Sequence, residues 1–227
     1  MKNNSIKCRL SSIKTWIVVS ILLIYCLLAT VSPKVFSLIV PYDTLDADVL
    51  SYFRIYSIYI ITFLLAPLFL LWMEPVYKIN TNILAITRQK SGNQYAKYSI
   101  LIDVIDAAAF NALCYGMFLL RLILLNGSIE KRFIWNFIII FPLQTSGFLF
   151  IAIVIKCISL LLDSYLGGCC IAYLLTIIDY LALQKGVTPP IYLGHSLLVN
   201  PYYGIGRNIN QYIYMSLLNI IVSLLYI

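Results

Sequence analysis

Ionisable side chains are scarce in this chain, so each one that falls inside an apolar run is a candidate for chemistry. Asp103 and Asp106 stand three residues apart, which places both carboxylates on one face of a helix. Two acids at one depth suit a cation or proton site. Near a helix N-terminus, within reach of the interface, the same pair would simply complement the positive end of the helix dipole. A charge at the centre of a membrane helix costs about 2.5–3.5 kcal/mol on insertion scales, so each reading must account for it. Arg121 and Asp179 lie toward the far ends of their apolar runs and would either pair inside a bundle or snorkel singly to the interface. Asp103, Asp106, Arg121 and Asp179 together form the candidate intramembrane polar site.

Other chemistry has less behind it. His195 is the only histidine and titrates near neutrality by default. With no carboxylate or cysteine partner in its loop, it reads as an interfacial residue before it reads as a ligand. Cys8, Cys26, Cys114, Cys157, Cys169 and Cys170 fall mostly in apolar runs, paired in spacing only at Cys169 and Cys170. That pattern argues against a metal site or a disulfide framework. A Gly-rich phosphate loop, an HExxH motif and a Gly-x-Ser-x-Gly motif are all missing, so no catalytic residue is expected. The chain is not expected to be an enzyme, and the energy for any transport must come from another chain.

The elements that hold these residues are set by composition. Of 227 residues, 62% are apolar and 11% charged, and the mean hydropathy is +0.92. A soluble domain carries roughly 25% charged residues, so the remaining polar residues do not suffice for a water-facing surface. The net charge of +7 comes from Lys and Arg scattered between apolar runs, without the dense basic stripe that nucleic acid requires. The fold class expected is all-α, a polytopic membrane protein of about six transmembrane helices.

A spanning helix needs about 20 apolar residues. Six windows qualify, at residues 16–39, 56–73, 98–125, 133–155, 158–183 and 209–227. The basic start runs into an apolar stretch too long for a signal core, and Ala29-Thr30-Val31 is a poor cleavage site, so the first helix is read as retained. The fourth and fifth windows are parted only by Lys156 and Cys157, read as a turn. Pro67 and Pro142 fall inside spans, where they kink helices.

Basic residues of short loops prefer the cytoplasm. Lys2, Lys7, Arg9 and Lys14 place the N-terminus inside, Asp43, Asp46 and Asp48 mark an outer loop, and Lys78, Arg88, Lys90 and Lys97 mark an inner one. An even number of helices returns the C-terminus to the cytoplasm. The location expected is the plasma membrane, multi-pass. Trp16, Tyr52, Tyr56, Trp72, Tyr77, Tyr98 and Trp135 lie near the proposed interfaces, as anchoring rings do.

Two connections are long. The inner segment, 74–97, is basic, interrupted by Pro75 and Gly92, and has Ile79, Ile83 and Ile86 at helical spacing over a short helix at 80–89. The outer segment, 185–208, contains Pro189, Pro190, Gly194, Pro201, Gly204 and Gly206, which prevent a continuous helix, yet it stays apolar through Ile191, Tyr192, Leu193, Leu197 and Leu198. Irregular backbone of that kind must be shielded by protein or water, so the segment is expected to dip back against the bundle.

This layout resembles the membrane subunit of an ATP-binding-cassette exporter of the ABC-2 permease type. That family has six helices, both termini inside, a coupling helix between the second and third helices, and short re-entrant helices between the fifth and sixth. The stretch Arg88-Gln89-Lys90-Ser91-Gly92-Asn93-Gln94-Tyr95 is similar to one in small permeases that export bacteriocins and lantibiotics. The basic residue often found four beyond the aromatic is Ser99 here, with Lys97 nearby. Asn200-Pro201-Tyr202-Tyr203 before the last helix has the same flavour.

The resemblance implies a pair of permease subunits, identical or related, bound to two cytosolic ATPase subunits that carry ATP and Mg. It assigns contact with the ATPase to Ile79, Asn82, Ile83, Ile86, Arg88, Lys90, Ser91 and Tyr95. The function it implies is export of a hydrophobic or amphipathic peptide, whether for bacteriocin secretion or for immunity to one. Two other classes remain open: a small-molecule-binding membrane subunit of a vitamin-type uptake system, and a polytopic membrane enzyme acting on lipid, which would need acidic, His or Arg residues clustered at one depth.

Overall fold

A computed structural model describes residues 12–31, 58–80, 92–126, 131–185, 192–197 and 208–226. Every regular element among them is helical. Helix α1 is Ile13–Val31. Helix α2 runs from Ile58–Ile60 through a π-helical turn, Ile61–Leu65, into Ala66–Asn80. Helices α3 to α6 are Gly92–Asn126, Lys131–Leu162, Tyr165–Gln184 and Asn208–Tyr226. A second π-helical turn, Leu193–Leu197, lies between α5 and α6.

Windows long and apolar enough to cross a membrane occur in α2, α3, α4 and α5, at Ile58–Pro75, Tyr95–Met117, Ile140–Leu162 and Tyr165–Gln184. These are the lengths and compositions of a helical membrane protein. Between such helices lipid supplies no hydrophobic drive, so close packing and interhelical hydrogen bonds must hold the bundle.

The π turn of α2 has a local cause in Pro67. A proline donates no N–H and crowds the carbonyl four residues back. Just before it, the Ala66 N–H reaches the carbonyl of Ile61, five residues back, and widening of this kind fits a proline into a helix without ending it. Pro75 and Pro142 are accommodated too, each inside a continuing helix.

Two expected boundaries are corrected. Helix α2 does not stop before Glu74 but continues to Asn80, and α3 starts at Gly92 rather than 98, so the inner connection shortens to residues 81–91. More consequentially, Lys156 and Cys157 are not a turn. Helix α4 runs through both to Leu162, and the joint falls at Asp163 and Ser164. Asp163 adopts a positive φ of 53°, the left-handed conformation that reverses a chain after a helix. Ser164 then caps α5, its side chain accepting from the Gly167 N–H at 3.2 Å.

Helix α4 is the centre of the bundle and packs against α3, α5, α6 and the Leu193–Leu197 turn, while α1 lies against α2 and α3. Mid-bundle, Phe69, Phe110 and Phe148 form a fully buried triad, with ring centroids 5.0–5.2 Å apart. Gly168 brings α5 onto α4: a Cβ there would stand 2.6 Å from the Ile155 carbonyl oxygen and would overlap Ser159 Oγ.

The two ends of the bundle are identified by contacts between distant residues. At the near end, Lys14 of α1 pairs with Glu74 of α2, and Tyr165 Oη donates to the Leu70 carbonyl at 2.7 Å. At the far end, Gln184 Nε2 donates to Tyr59 Oη at 2.9 Å. Neighbouring helices in sequence therefore run up and down.

Candidate functional site

Two buried polar centres lie on opposite sides of the aromatic triad, and each contains one of the carboxylates singled out from sequence. The near centre is built on α3 and α4. Asp103 lies eleven residues past the first residue of α3 and is 0% exposed. Lys156, one turn and a half before the end of α4, is 4% exposed and holds its Nζ 2.7 Å from Asp103 Oδ2. The ammonium donates to the Ser99 carbonyl at 3.2 Å and to Ser99 Oγ at 2.5 Å. From α6, Tyr226 Oη is 3.2 Å from Ser99 Oγ, and its ring centroid is 5.9 Å from the Lys156 nitrogen. Three helices thus meet on one lysine.

This geometry overturns the helix-start reading of Asp103 and Asp106. Both lie beyond the first turn of α3, where the dipole effect has decayed, and both are buried. The Trp72 indole N–H donates to the Asp106 backbone carbonyl at 3.3 Å. Asp103 answers its burial with an opposite charge, as intramembrane acids do.

The far centre is built on α4, α5 and the short turn. Asp179 is 0% exposed, and its Oδ2 accepts from the backbone N–H groups of Tyr192 and Leu193 at 2.8 and 2.7 Å. Those donors open the turn, where the first N–H groups of a helix have no partner within it. Thr176 Oγ1 and Tyr192 Oη are 2.6 Å apart, and Ser196 Oγ donates to the Tyr192 carbonyl at 2.8 Å. Burial pushes the Tyr192 phenol above its usual range, with the Asp179 charge adding to the rise and the Thr176 bond opposing it.

From α4, Gln144 Nε2 donates to the Leu197 carbonyl at 3.3 Å, while Tyr115 of α3 donates its hydroxyl to Gln144 Oε1. Gly147 lets the turn approach: a Cβ there would sit 2.9 Å from Leu197 Cγ and overlap Ser196 Oγ. The ring of His195 packs on Tyr214 of α6, with centroids 4.5 Å apart.

The four expected polar-site residues are therefore not one site. Asp103 and Asp106 belong to the near centre and Asp179 to the far one, while the side chain of Arg121, on α3, lies outside the described residues. Of the expected ATPase contacts, Asn82, Ile83, Ile86, Arg88, Lys90 and Ser91 lie outside the described residues, as does the Ile79 side chain. Tyr95 is in the first turn of α3, half-buried, with its hydroxyl bonded to that of Tyr226.

Sequence reasoning passed over Lys156, Gln144 and Gly147. For Lys156 a signal existed, since no Gly or Pro stands beside it to end the helix and Asp103 offers the opposite charge one helix earlier. Among the described residues no group of three His, Cys, Asp or Glu comes together. Comparison of the chain with family models, curated proteins and solved structures finds no match.

Proposed function

We propose that this chain is the permease subunit of an ATP-driven exporter of the ABC-2 type, moving a hydrophobic or amphipathic peptide. It crosses the plasma membrane six times with both termini in the cytoplasm. Residues 81–91 form the contact with the cytosolic ATPase, which binds ATP and Mg. Two permease chains, identical or related, complete the translocation unit.

The observation that supports this reading is the Leu193–Leu197 turn, folded back into the bundle between α5 and α6 and bonded to Asp179 and Gln144. Such a turn in that position is what the resemblance implies for the outer face. Helix α2 ends and α3 begins at the other end of the bundle, and a cytosolic partner would bind the basic connection between them there. The charges of that connection would meet acidic surface, and its isoleucines at helical spacing would enter a groove.

Affinity purification of the tagged chain from its native membranes tests the reading. The expected result is co-purification of a protein that hydrolyses ATP, lost when Arg88→Glu and Lys90→Glu are introduced together. A correctly inserted chain that brings down no ATPase, or one whose ATPase association ignores the charge reversal, overturns it.

A further inference from the structure

The near centre holds more than a structural ion pair needs. Asp103 is fully buried, yet only Oδ2 faces Lys156, and nothing among the described residues donates to Oδ1. A carboxylate oxygen left bare at that depth is costly. Lys156, by contrast, is well served without Asp103: the carbonyl and hydroxyl oxygens of Ser99 accept from it, and the Tyr226 ring is near. The cation thus keeps neutral acceptors whether or not its counter-charge is present.

We propose that Asp103 is a proton-binding site inside the bundle, with Oδ1 as the acceptor and Lys156 as a fixed counter-charge. Proton uptake converts the carboxylate to the neutral acid and adds one positive charge to the centre. Lys156 keeps its bonds to Ser99. Release returns the proton to water and restores the pair.

The surroundings leave Asp103 as the group that changes. Lys156 faces it from α4 and Tyr226 from α6, Cys157 lies beside Tyr226 with its thiol turned to the Val222 carbonyl, and Tyr95 and Asp106 lie on its own helix. Helices α1 and α2 bring the Lys14–Glu74 pair to the same end. The proton is also the one ligand small enough for a side chain with no exposed surface. Because three helices meet on Lys156, occupancy of Asp103 changes the charge where α3, α4 and α6 join. This inference stands apart from the transporter reading and requires no ATPase.

Infrared difference spectroscopy on the full chain in lipid bilayers tests it, stepping the buffer from alkaline to acidic. The expected result is a carboxylic-acid C=O band that grows on acidification and disappears in Asp103→Asn. Removing the counter-charge with Lys156→Met is expected to tighten proton binding by at least about tenfold.

If either variant fails to fold, Asp103→Glu keeps the acid. With isotope-labelled aspartate, the wild-type band moves with the label and the Asp103→Glu band does not. A spectrum with no Asp103-dependent change at any pH where the chain remains helical overturns the proposal, because the pair is then permanently charged or permanently neutral.

Discussion

The two buried centres use the same side chain for opposite purposes. Asp179 turns one oxygen to two backbone N–H groups at 2.8 and 2.7 Å and so holds irregular backbone inside an apolar bundle. Asp103 touches no backbone donor among its described contacts. It faces a lysine with one oxygen, and no donor among the described residues reaches the other. A carboxylate that binds backbone is tied to the fold, because its donors cannot leave without unravelling a turn. A carboxylate that faces only an ammonium is tied to a charge and not to backbone, so it can give up its own charge while the turns stay intact.

The sharpest way to break the contrast is to remove one partner at the near centre. Lys156→Met leaves Asp103 buried and uncompensated, and reversible unfolding in mixed micelles is expected to show a loss of about 3–5 kcal/mol. Adding Asp103→Leu should recover most of it, because an apolar pair replaces an ionic one. A double variant as unstable as the single one would show that Lys156 acts through something other than Asp103.

At the far centre the expected effect is smaller and local. Asp179→Asn keeps an acceptor oxygen but loses its charge, and should cost about 1–3 kcal/mol, in the range for a charge-assisted hydrogen bond. Hydrogen exchange should then rise first at Tyr192 and Leu193, ahead of the helices. Uniform loosening of the bundle would contradict the view that Asp179 serves the turn.

The smallest change probes the fit beneath that turn. Gly147→Ala sets a methyl against Ser196 and Leu197 and should cost about 1–3 kcal/mol, the usual penalty of overpacking. Ser196→Ala in the same chain removes the hydroxyl that the methyl meets, so part of the loss should return. Additive losses would place the strain elsewhere.

Much of this architecture is legible in the sequence, because lipid makes apolar length a strong signal. The up-and-down helices follow from windows of hydropathy, and the apolar, Pro- and Gly-rich stretch after α5 was expected to fold back. The joint between α4 and α5 was misplaced for a physical reason. In the sequence Lys156 reads as a turn between two spans, whereas its solvent is Asp103, 53 positions earlier in the chain, along with Ser99. The pairing of Asp179 was equally hidden, since its partners are backbone N–H groups, which every residue but proline possesses. Local sequence announces that a buried charge needs an answer, but the answer is a matter of tertiary contact.

Only Asp163 and Ser164 separate α4 from α5, a link too short for the two helices to enter a bilayer far apart. Synthesis must deliver them as one antiparallel hairpin, with Lys156 close to its tip. Helix α3, made earlier, carries Asp103 ahead of them. The order of the chain thus gives the lysine a waiting counter-ion, so that its charge need never meet lipid alone.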